Sequence, residues 1–396
     1  MSEWQTFCLK DLGKIVGGAT PSTNNPKNYG NKIAWITPKD LSTLQGRYIK
    51  KGSRSISRLG FKSCSCVLLP KHAILFSSRA PIGYVAIAKK RLCTNQGFKS
   101  IIPNKKIYFE FLYYLLKYHE DNISNIGGGT TFKEVSGATL GLFKVKIPPT
   151  YYEQQKIART LSILDQKIEN NHKINELLHK ILELLYEQYF VRFDFLDENN
   201  KPYQTSGGKM KFSKELNRLI PSGWSVRFLN HKIVSTYQPK TISKTLLNDS
   251  YSYSVYGGGG IIGRFTEYNH EQSEFIISCR GQCGISYLTL PKSWITGNAM
   301  VIRPTKSYTS KTYLYHTIKK YKLTNYITGS VQPQITRQNL STMPILIPKR
   351  KTLNKWNNIS SLLWNLIHNN MQSTQTLTAL RDFLLPLLLT QQVKPQ

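Results

Sequence analysis

The stretch IPPTYYEQQKIARTLSILDQKIENNHKINELLHKILELLYEQYF, residues 147–190, decides how the rest of the chain is organised. Apolar side chains recur in it at alternating steps of three and four residues, namely Leu161, Leu164, Ile168, Leu178, Leu182, Leu185 and Tyr189. This 3.5-residue period is typical of the seam of a coiled coil and predicts one long helix. The helix is expected to begin just after Pro148-Pro149, because proline fits the first turn of a helix but not its interior.

The middle of this seam is polar, because Asn171 and Asn175 fill the two central positions. A second seam lies near the C-terminus and also has a polar middle; it consists of Leu363, Ile367, Asn370, Thr374, Leu377, Leu384 and Leu388. Polar seam residues cost stability but fix register and partner, so we expect the two helices to pair antiparallel. The alternative is two separate amphipathic helices, each packed on its own domain. Arg381 interrupts the second seam, and Pro386 is expected to kink or end its helix.

The remainder of the chain contains an internal repeat with an offset of about 200 residues. GTTFKEVSGATLGLFKVKIPP, residues 129–149, corresponds to GSVQPQITRQNLSTMPILIPK, residues 329–349. Apolar residues and the Ile-Pro pair fall at the same places in both segments. Each such segment is followed by one of the two predicted helices.

A second pair of segments repeats in the same order. LFSSRAPIGY, residues 75–84, resembles IISCRGQCGIS, residues 276–286, which places Arg79 opposite Arg280. The shared order and offset predict two copies of one plan, in which a basic β-rich domain is followed by a long helix. We therefore expect a pseudo-twofold arrangement of the α+β class, with two mixed α/β domains separated by an antiparallel coiled coil.

The predicted segments follow from these repeats and from a polar, turn-rich stretch between the two copies. They are a first mixed domain at residues 1–149, a helix at 150–192, a linker at 193–220, a second mixed domain at 221–348 and a C-terminal helix at 349–396.

The charge of the chain is strongly positive, with 54 Lys and Arg against 22 Asp and Glu, a net charge of +32. Residues 1–150 carry +16 and residues 221–350 carry +12, whereas residues 151–200 carry −3. Two basic blocks flanking an acidic one favour a polyanionic partner, with nucleic acid ahead of an anionic membrane surface. No apolar stretch is long enough to span a bilayer, so no membrane partner is expected.

The six cysteines form no CxxC pair, which argues against a zinc site and fits reduced thiols in a cytoplasmic protein. Other reactive motifs are also missing. Pro148-Pro149 lacks the polar and aromatic flanks of an amine-methylating tetrapeptide. GGGIIGRF, residues 258–265, has Arg264 and Phe265 where a phosphate-binding loop needs Lys and Ser or Thr. We therefore expect no catalytic residue, no metal and no cofactor in this chain.

Basic residues interleaved with hydroxyl and amide side chains are what the two domains offer instead. Lys and Arg neutralise phosphates, while Arg, Asn and Gln distinguish bases at groove edges. The candidate DNA-binding residues are Lys39, Arg47, Lys50, Lys51, Arg54, Arg58, Arg79, Thr130, Thr131, Lys133, Arg264, Arg280, Gln332, Gln334 and Arg337.

Three segments resemble the specificity subunits of type I restriction–modification systems. GGATPSTNNPKNYGNKIAWITPKDL, residues 17–41, looks like the opening of a target recognition domain in that family. Residues 147–178 resemble its central conserved region, notably Glu153-Gln154-Gln155 and Asp165-Gln166-Lys167-Ile168. FDFLDENNKPYQTSGGKM, residues 193–210, resembles the segment leading into the second domain. The last region departs from the pattern, because KRKTLNKWNNIS, from Lys349, lacks the Glu-Gln pair.

The resemblance implies that two target recognition domains each read one half of a bipartite site on double-stranded DNA. It also implies a non-catalytic chain that binds two modification subunits, which methylate adenine with S-adenosylmethionine. Restriction subunits would add ATP- and Mg-dependent translocation and cleavage. Two alternatives remain open: a stand-alone methyltransferase or fused restriction enzyme, and a non-catalytic RNA-binding or scaffold protein with two basic modules.

Overall fold

The computed structural model describes residues 3–128, 133–281 and 283–395, and the chain forms two compact units. The first unit comprises Met1–Lys173 and Asn370–Gln396, and the second comprises Ile174–Asn369. Each unit therefore combines one mixed domain with part of both long helices. This division cuts across the five consecutive segments predicted from the sequence, because it follows contacts between residues far apart in the chain.

The first unit is built on a five-stranded sheet of order β2-β9-β6-β7-β4 and a three-stranded sheet of order β5-β3-β8. Its strands are β1 (Gln5–Cys8), β2 (Gly13–Gly17), β3 (Tyr29–Ile36), β4 (Tyr48–Ile49), β5 (Arg54–Ile56), β6 (Ile74–Ser78), β7 (Ile82–Ala88), β8 (Cys93–Thr94), β9 (Lys99–Pro103) and β10 (Lys144–Ile147). Its helices are α1 (Leu9–Leu12), α2 (Pro38–Ser42), α3 (Arg58–Lys62), α4 (Phe109–Tyr118), α5 (Glu120–Asn125), α6 (Gly137–Leu142) and the first part of α7 (Tyr151–Tyr186).

The second unit has a four-stranded sheet of order β14-β20-β17-β18 and a three-stranded sheet of order β16-β15-β19. Its strands are β11 (Met210–Ser213), β12 (Arg218–Pro221), β13 (Ser225–Phe228), β14 (Val234–Tyr237), β15 (Tyr253–Gly257), β16 (Gly260–Phe265), β17 (Phe275–Ser278), β18 (Ser286–Leu288), β19 (Trp294–Ile295), β20 (Ala299–Pro304), β21 (Ile327–Thr328), β22 (Gln334–Ile335) and β23 (Pro344–Ile347). Its helices are the remainder of α7, α8 (Lys311–Lys320), α9 (Arg337–Leu340) and the first part of α10 (Arg350–Leu389).

The sheets of the two units repeat strand by strand, which confirms the internal repeat. β1 pairs antiparallel with β10 starting at Gln5 opposite Ile147, and β13 pairs with β23 starting at Ser225 opposite Ile347. The larger sheets share the order β2-β9-β6-β7 and β14-β20-β17-β18. In both small sheets the central strand has one antiparallel and one parallel neighbour. One topology thus serves both domains.

Helix α7 begins at Tyr151, where the proline pair predicted it. Thr150 caps it, because its Oγ1 accepts a hydrogen bond from the Glu153 amide at 3.2 Å. Gln154, in the first turn, is buried and accepts a hydrogen bond from the Tyr108 amide at 2.8 Å. The start of α7 is thereby attached to the N-terminus of α4, and Ile157 and Leu161 enter the core of the first unit.

The long helices run antiparallel within each unit, and their polar seam residues meet as predicted. In the first unit, Asn171 Nδ2 donates to Thr374 Oγ1 at 3.2 Å. In the second unit, Asn175 Nδ2 donates to the Ile367 carbonyl at 3.3 Å. Amide side chains that find partners only in one register specify the alignment of the two helices.

Pro386 is expected from the sequence to kink or end its helix. The helix does not end there, because α10 continues to Leu389. Pro386 lies in the last turn, and its carbonyl accepts a hydrogen bond from the Thr390 amide at 2.9 Å. Leu388 and Leu389 are buried in the core of the first unit. Burial of two leucines outweighs the loss of a single helix hydrogen bond at the proline nitrogen.

Across the described ranges, none of the helices combines the length and apolar character that crossing a bilayer requires.

Candidate nucleic-acid interface

An exposed basic cluster surrounds the small sheet of the first unit. Arg54 on β5 stacks its guanidinium over the Tyr29 ring, 4.2 Å from the ring centroid. The other exposed members are Lys39 on α2, Lys50 and Lys51 after β4, and Arg58 on α3. The stacking leaves the polar edge of Arg54 available to phosphate oxygens while its carbon stem is covered.

Asp40 organises the loop that carries this cluster. Its carboxylate accepts hydrogen bonds from the Thr37 amide at 2.8 Å and the Ser53 amide at 2.7 Å. Burial acts to raise the pKa of Asp40, but these hydrogen bonds outweigh it and lower the pKa below its usual value. Asp40 is the single acidic residue in the segment, and its hydrogen bonds hold α2 against the residues preceding β5.

Arg47 does not belong to this surface, which corrects the sequence-based assignment. Its side chain is only 3% exposed and lies 3.2 Å from Glu110 and 3.3 Å from Glu169. Burial opposes its charge, but Tyr114 and the carboxylates outweigh burial and raise the pKa of Arg47. A guanidinium enclosed by carboxylates cannot reach a phosphate. Its role is to join β4, α4 and α7.

The second feature of the first unit is the turn after β6. Arg79 Nη1 lies 3.4 Å from Glu134 Oε2, and Lys99 Nζ lies 3.1 Å from Glu134 Oε1. Glu134 is held beside the turn because its backbone forms an isolated antiparallel bridge with Gly128. Lys133 is exposed next to it. Thr130 and Thr131, the other predicted members, lie outside the described residues.

The corresponding feature of the second unit brings four predicted residues together. Arg280 and Gln334 form an isolated antiparallel bridge, and Gln334 begins β22 of a short hairpin with β21. Gln332 is exposed in the hairpin loop, and Arg337 is exposed at the start of α9. Amide and guanidinium side chains are the groups that read purines in a groove.

The hairpin loop also contains Val331, which the sequence analysis missed. Its side chain is 90% exposed, although it is apolar. Gly329 permits the turn, because its φ of +90° lies in the left-handed region and an added Cβ would lie 2.6 Å from the Gln332 carbonyl oxygen. The sequence gives no signal for this exposure, since the valine stands in an ordinary repeat position.

Arg264 lies apart from that hairpin, on β16 of the small sheet. It is partly buried, and its Nη1 donates to the Tyr251 carbonyl at 2.9 Å. Burial lowers the pKa of Arg264, although Asp249 opposes this shift. The strand corresponds to β5 of the first unit, which carries Arg54, so both small sheets present an arginine on the same edge strand.

The turns that carry Arg79 and Arg280 share a glycine in the left-handed region. Gly83 and Gly284, four residues after each arginine, adopt φ values of +108° and +90°. A side chain is disfavoured at such angles, so glycine is favoured at this place in both turns. The repeat therefore includes this one backbone position after each arginine.

Reactive centres were sought among the described residues. In those residues no group of three or more His, Cys, Asp and Glu is placed to hold a metal ion. All six cysteines are free thiols. The arrangement is thus a set of cations in the first unit and a set of cations and amides in the second, supported by equivalent strands.

Comparison with known proteins adds a family assignment. The sequence profile described as "Type I restriction modification DNA specificity domain" matches residues 1–180 and 221–379. The chain is 32% identical to the type I restriction enzyme MjaIX specificity subunit of Methanocaldococcus jannaschii, over 98% of this chain and 92% of the relative. It is 30% identical to the HindI specificity subunit of Haemophilus influenzae, over 46% of this chain and 40% of that relative.

A solved structure has the same fold. The crystal structure of the type I restriction–modification system S subunit from M. genitalium superposes with a TM-score of 0.61 at 18% identity. The match covers 97% of this chain and 96% of that chain.

Proposed function

Because the chain belongs to the type I restriction–modification DNA specificity family, we propose that it selects the DNA sequence on which a multisubunit complex acts. Each mixed domain reads one half of a bipartite site on double-stranded DNA. The observation that carries this proposal is the equivalence of the two domains: both present an arginine-bearing turn and a basic small sheet on the same topology.

The proposed contact surface consists of residues that are exposed or, at Arg79 and Arg264, partly exposed. In the first unit it comprises Lys39, Lys50, Lys51, Arg54, Arg58, Arg79 and Lys133. In the second it comprises Arg264, Arg280, Gln332, Gln334 and Arg337, with Val331 added. Lysines and arginines of the small sheets contact phosphates, which provides affinity without sequence preference. The glutamines and the apolar Val331 contact base edges and the thymine methyl group.

Chemistry belongs to partner subunits in this proposal. Two modification subunits bind the chain and methylate adenine with S-adenosylmethionine, and restriction subunits supply ATP- and Mg-dependent cleavage. The chain itself binds no cofactor and acts in the cytoplasm.

A surface suited to a modification subunit lies on α7 in the second unit. Ile174, Leu177, Ile181 and Leu184 follow one another at steps of three, four and three residues, and all are substantially exposed. This is a second 3.5-residue stripe, separate from the seam that α10 covers. Such a stripe fits a further helix packed in the manner of a coiled coil. We assign it to a helix of the modification subunit.

Methylome sequencing tests the proposed function most directly. The chain is expressed with its modification subunits in a host that lacks them, and adenine methylation is mapped. A bipartite methylated sequence is expected only when the chain is present. A second strain carries residues 1–149 from a relative, and one half of the methylated sequence is expected to change. Methylation that persists without the chain, or a change in both halves, contradicts the proposal; binding to RNA without methylation favours the scaffold alternative.

A further inference from the structure

Arg79 and Arg280 occupy the same place in their units. The carbonyl just before Arg79 accepts a hydrogen bond from the Val135 amide, and the carbonyl just before Arg280 accepts one from the Ile335 amide, both at 3.0 Å. The residues preceding these amides, Glu134 and Gln334, therefore stand beside the two arginines in the same way. Any difference between the arginines arises from their neighbours and not from the backbone.

The neighbours differ in charge. In the first unit Glu134 shares its carboxylate between Arg79 at 3.4 Å and Lys99 at 3.1 Å. In the second unit Gln334 stands in place of Glu134. The first residue of β6 pairs with Ile101, and the first residue of β17 pairs with Ile302. Lys99 and Met300 each lie two residues before that partner, so Met300 stands in place of Lys99. Carboxylate and ammonium are thus replaced together by neutral groups.

The two substitutions leave Arg280 in a different electrostatic state from Arg79. Arg280 is exposed, and within the described ranges no ion pair or hydrogen bond involves its guanidinium. Arg79 is 37% exposed and paired. A phosphate approaching Arg79 must compete with Glu134, whereas no carboxylate in the part of the chain that the structure describes is paired with Arg280.

We propose that positions 134 and 334 determine how each unit engages the DNA backbone. Arg280 binds a phosphate as a free cation. Glu134 is a positioning residue that holds Arg79 and Lys99 together and limits their joint contact with phosphate. This inference rests on the proposed function, because it assumes that the turns after β6 and β17 face DNA. It adds an electrostatic difference between two otherwise equivalent domains.

Counterion release provides a measurable consequence. The slope of log affinity against log salt changes by roughly 0.9 for each phosphate contact on B-DNA. Glu134→Gln removes one negative charge and so frees one unit of positive charge for phosphate. The slope is expected to steepen by about 0.9, the value for one phosphate contact, and by no more than about twice that. Gln334→Glu gives Arg280 a carboxylate partner, so the slope is expected to flatten by about one contact. Over a fourfold change in salt, each contact alters affinity about three- to fourfold.

The measurement uses the full chain assembled with its modification subunits. Fluorescence anisotropy is recorded over roughly 50 to 200 mM salt with two labelled duplexes, one carrying the methylated sequence and one of unrelated sequence. Both duplexes are expected to report the same change in slope, because the contact is with phosphate. A change confined to the methylated sequence overturns the assignment to phosphate.

Three further variants separate the local effect from net charge and from folding. Asp121→Asn, at an exposed residue of α5, makes the same change in net charge and is expected to leave the slope unaltered. Glu134→Asp keeps the carboxylate and is expected to behave as the parent. Adding Arg79→Ala to Glu134→Gln is expected to reverse most of the steepening. Equal slopes for the parent and Glu134→Gln, with thermal unfolding unchanged, overturn the inference.

Failure of the inference and failure of the proposed function give different results. If sequence-specific methylation is observed but the slopes do not respond, the inference alone fails. If the slope on the unrelated duplex responds but no sequence-specific methylation is found, the proposed function alone fails.

Discussion

Arg381 Nη1 lies 2.9 Å from Asp165 Oδ1, so a largely buried ion pair joins α7 and α10 within the first unit. The residue that interrupts the apolar seam of α10 is thus matched by a carboxylate on α7. Asp165 also lies 3.8 Å from Arg47 and accepts a hydrogen bond from the Tyr114 hydroxyl. One carboxylate therefore connects both helices to the mixed domain.

Removing this carboxylate is expected to destabilise the first unit strongly. Asp165→Ala leaves Arg381 without its buried partner, and loss of one member of a buried pair typically costs about 3–5 kcal/mol of unfolding free energy. Urea denaturation measures the change. The matched control is Asp382→Ala, which removes the exposed carboxylate on the other side of Arg381 and is expected to cost less than about 1 kcal/mol. Equal effects at both positions would falsify this account.

The second unit is expected to lose stability as pH falls below neutrality. Burial lowers the pKa of His316 to about 3 and that of His368 to about 4. In the unfolded chain both return to about 6.5, so below that pH the unfolded state binds more protons than the folded state. Unfolding free energy should fall by up to about 1.4 kcal/mol per pH unit for each histidine, until the folded-state values are reached.

Replacing both histidines by phenylalanine tests that pH dependence. His316 packs against Tyr186 and Trp356, and phenylalanine preserves an aromatic ring there. Denaturant midpoints from neutral pH to about pH 5 are expected to vary less in the double variant than in the parent. If the double variant loses stability with falling pH as the parent does, titratable groups other than these two histidines cause the loss.

The exposed stripe on α7 is expected to be required for assembly but not for folding. Leu177 and Leu184 are about 60% exposed, so changing both to Ser removes little buried area from this chain. Co-purification with the modification subunit is expected to be lost while the thermal unfolding of the chain alone stays the same. Glu176→Ser, at an exposed residue of the same helix outside the stripe, serves as the control and should co-purify normally. Retention of the partner by the double leucine variant rules out this surface.

Neutralising the basic cluster of the first unit should weaken DNA binding without changing the sequence that is read. Ala at Lys50, Lys51 and Arg54 removes up to three phosphate contacts, which lowers the salt slope by roughly 0.9 for each. Anisotropy with matched and unrelated duplexes is the readout, and affinity for both should fall by a similar factor. Lys105→Ala, at an exposed lysine elsewhere in the unit, is the control. A loss limited to the methylated sequence would mean that these residues contact bases.

Much of the architecture could be predicted from periodicity, because apolar residues that recur at a regular spacing mark the buried face of a helix. The start of α7 at Tyr151, the antiparallel pairing and the meeting of Asn171 with Thr374 all come from patterns within short segments. Pro386 departs from expectation because the core that holds the last turn is built largely from residues near the other end of the chain.

The candidate site could be predicted only in part. The repeat identified Arg79 and Arg280, but the roles of individual cations depend on partners distant in sequence. Arg47 is enclosed by carboxylates 63 and 122 residues away, which no local pattern reveals. Glu134 occupies the place of the candidate Gln334 in the repeat, so the repeat alone points to it. The exposure of Val331 depends on the fold of the hairpin loop, which no local pattern in the sequence predicts.

The core of the first unit includes Leu388 and Leu389, which follow the whole of the second unit in the chain. The ribosome therefore releases the last core residues of this unit only after the whole second unit has been synthesised. A stop codon between residues 369 and 388 would remove these leucines from the core of the first unit and leave the residues of the second unit in place. Frameshifts in that stretch are thus expected to destabilise the first unit more than the second.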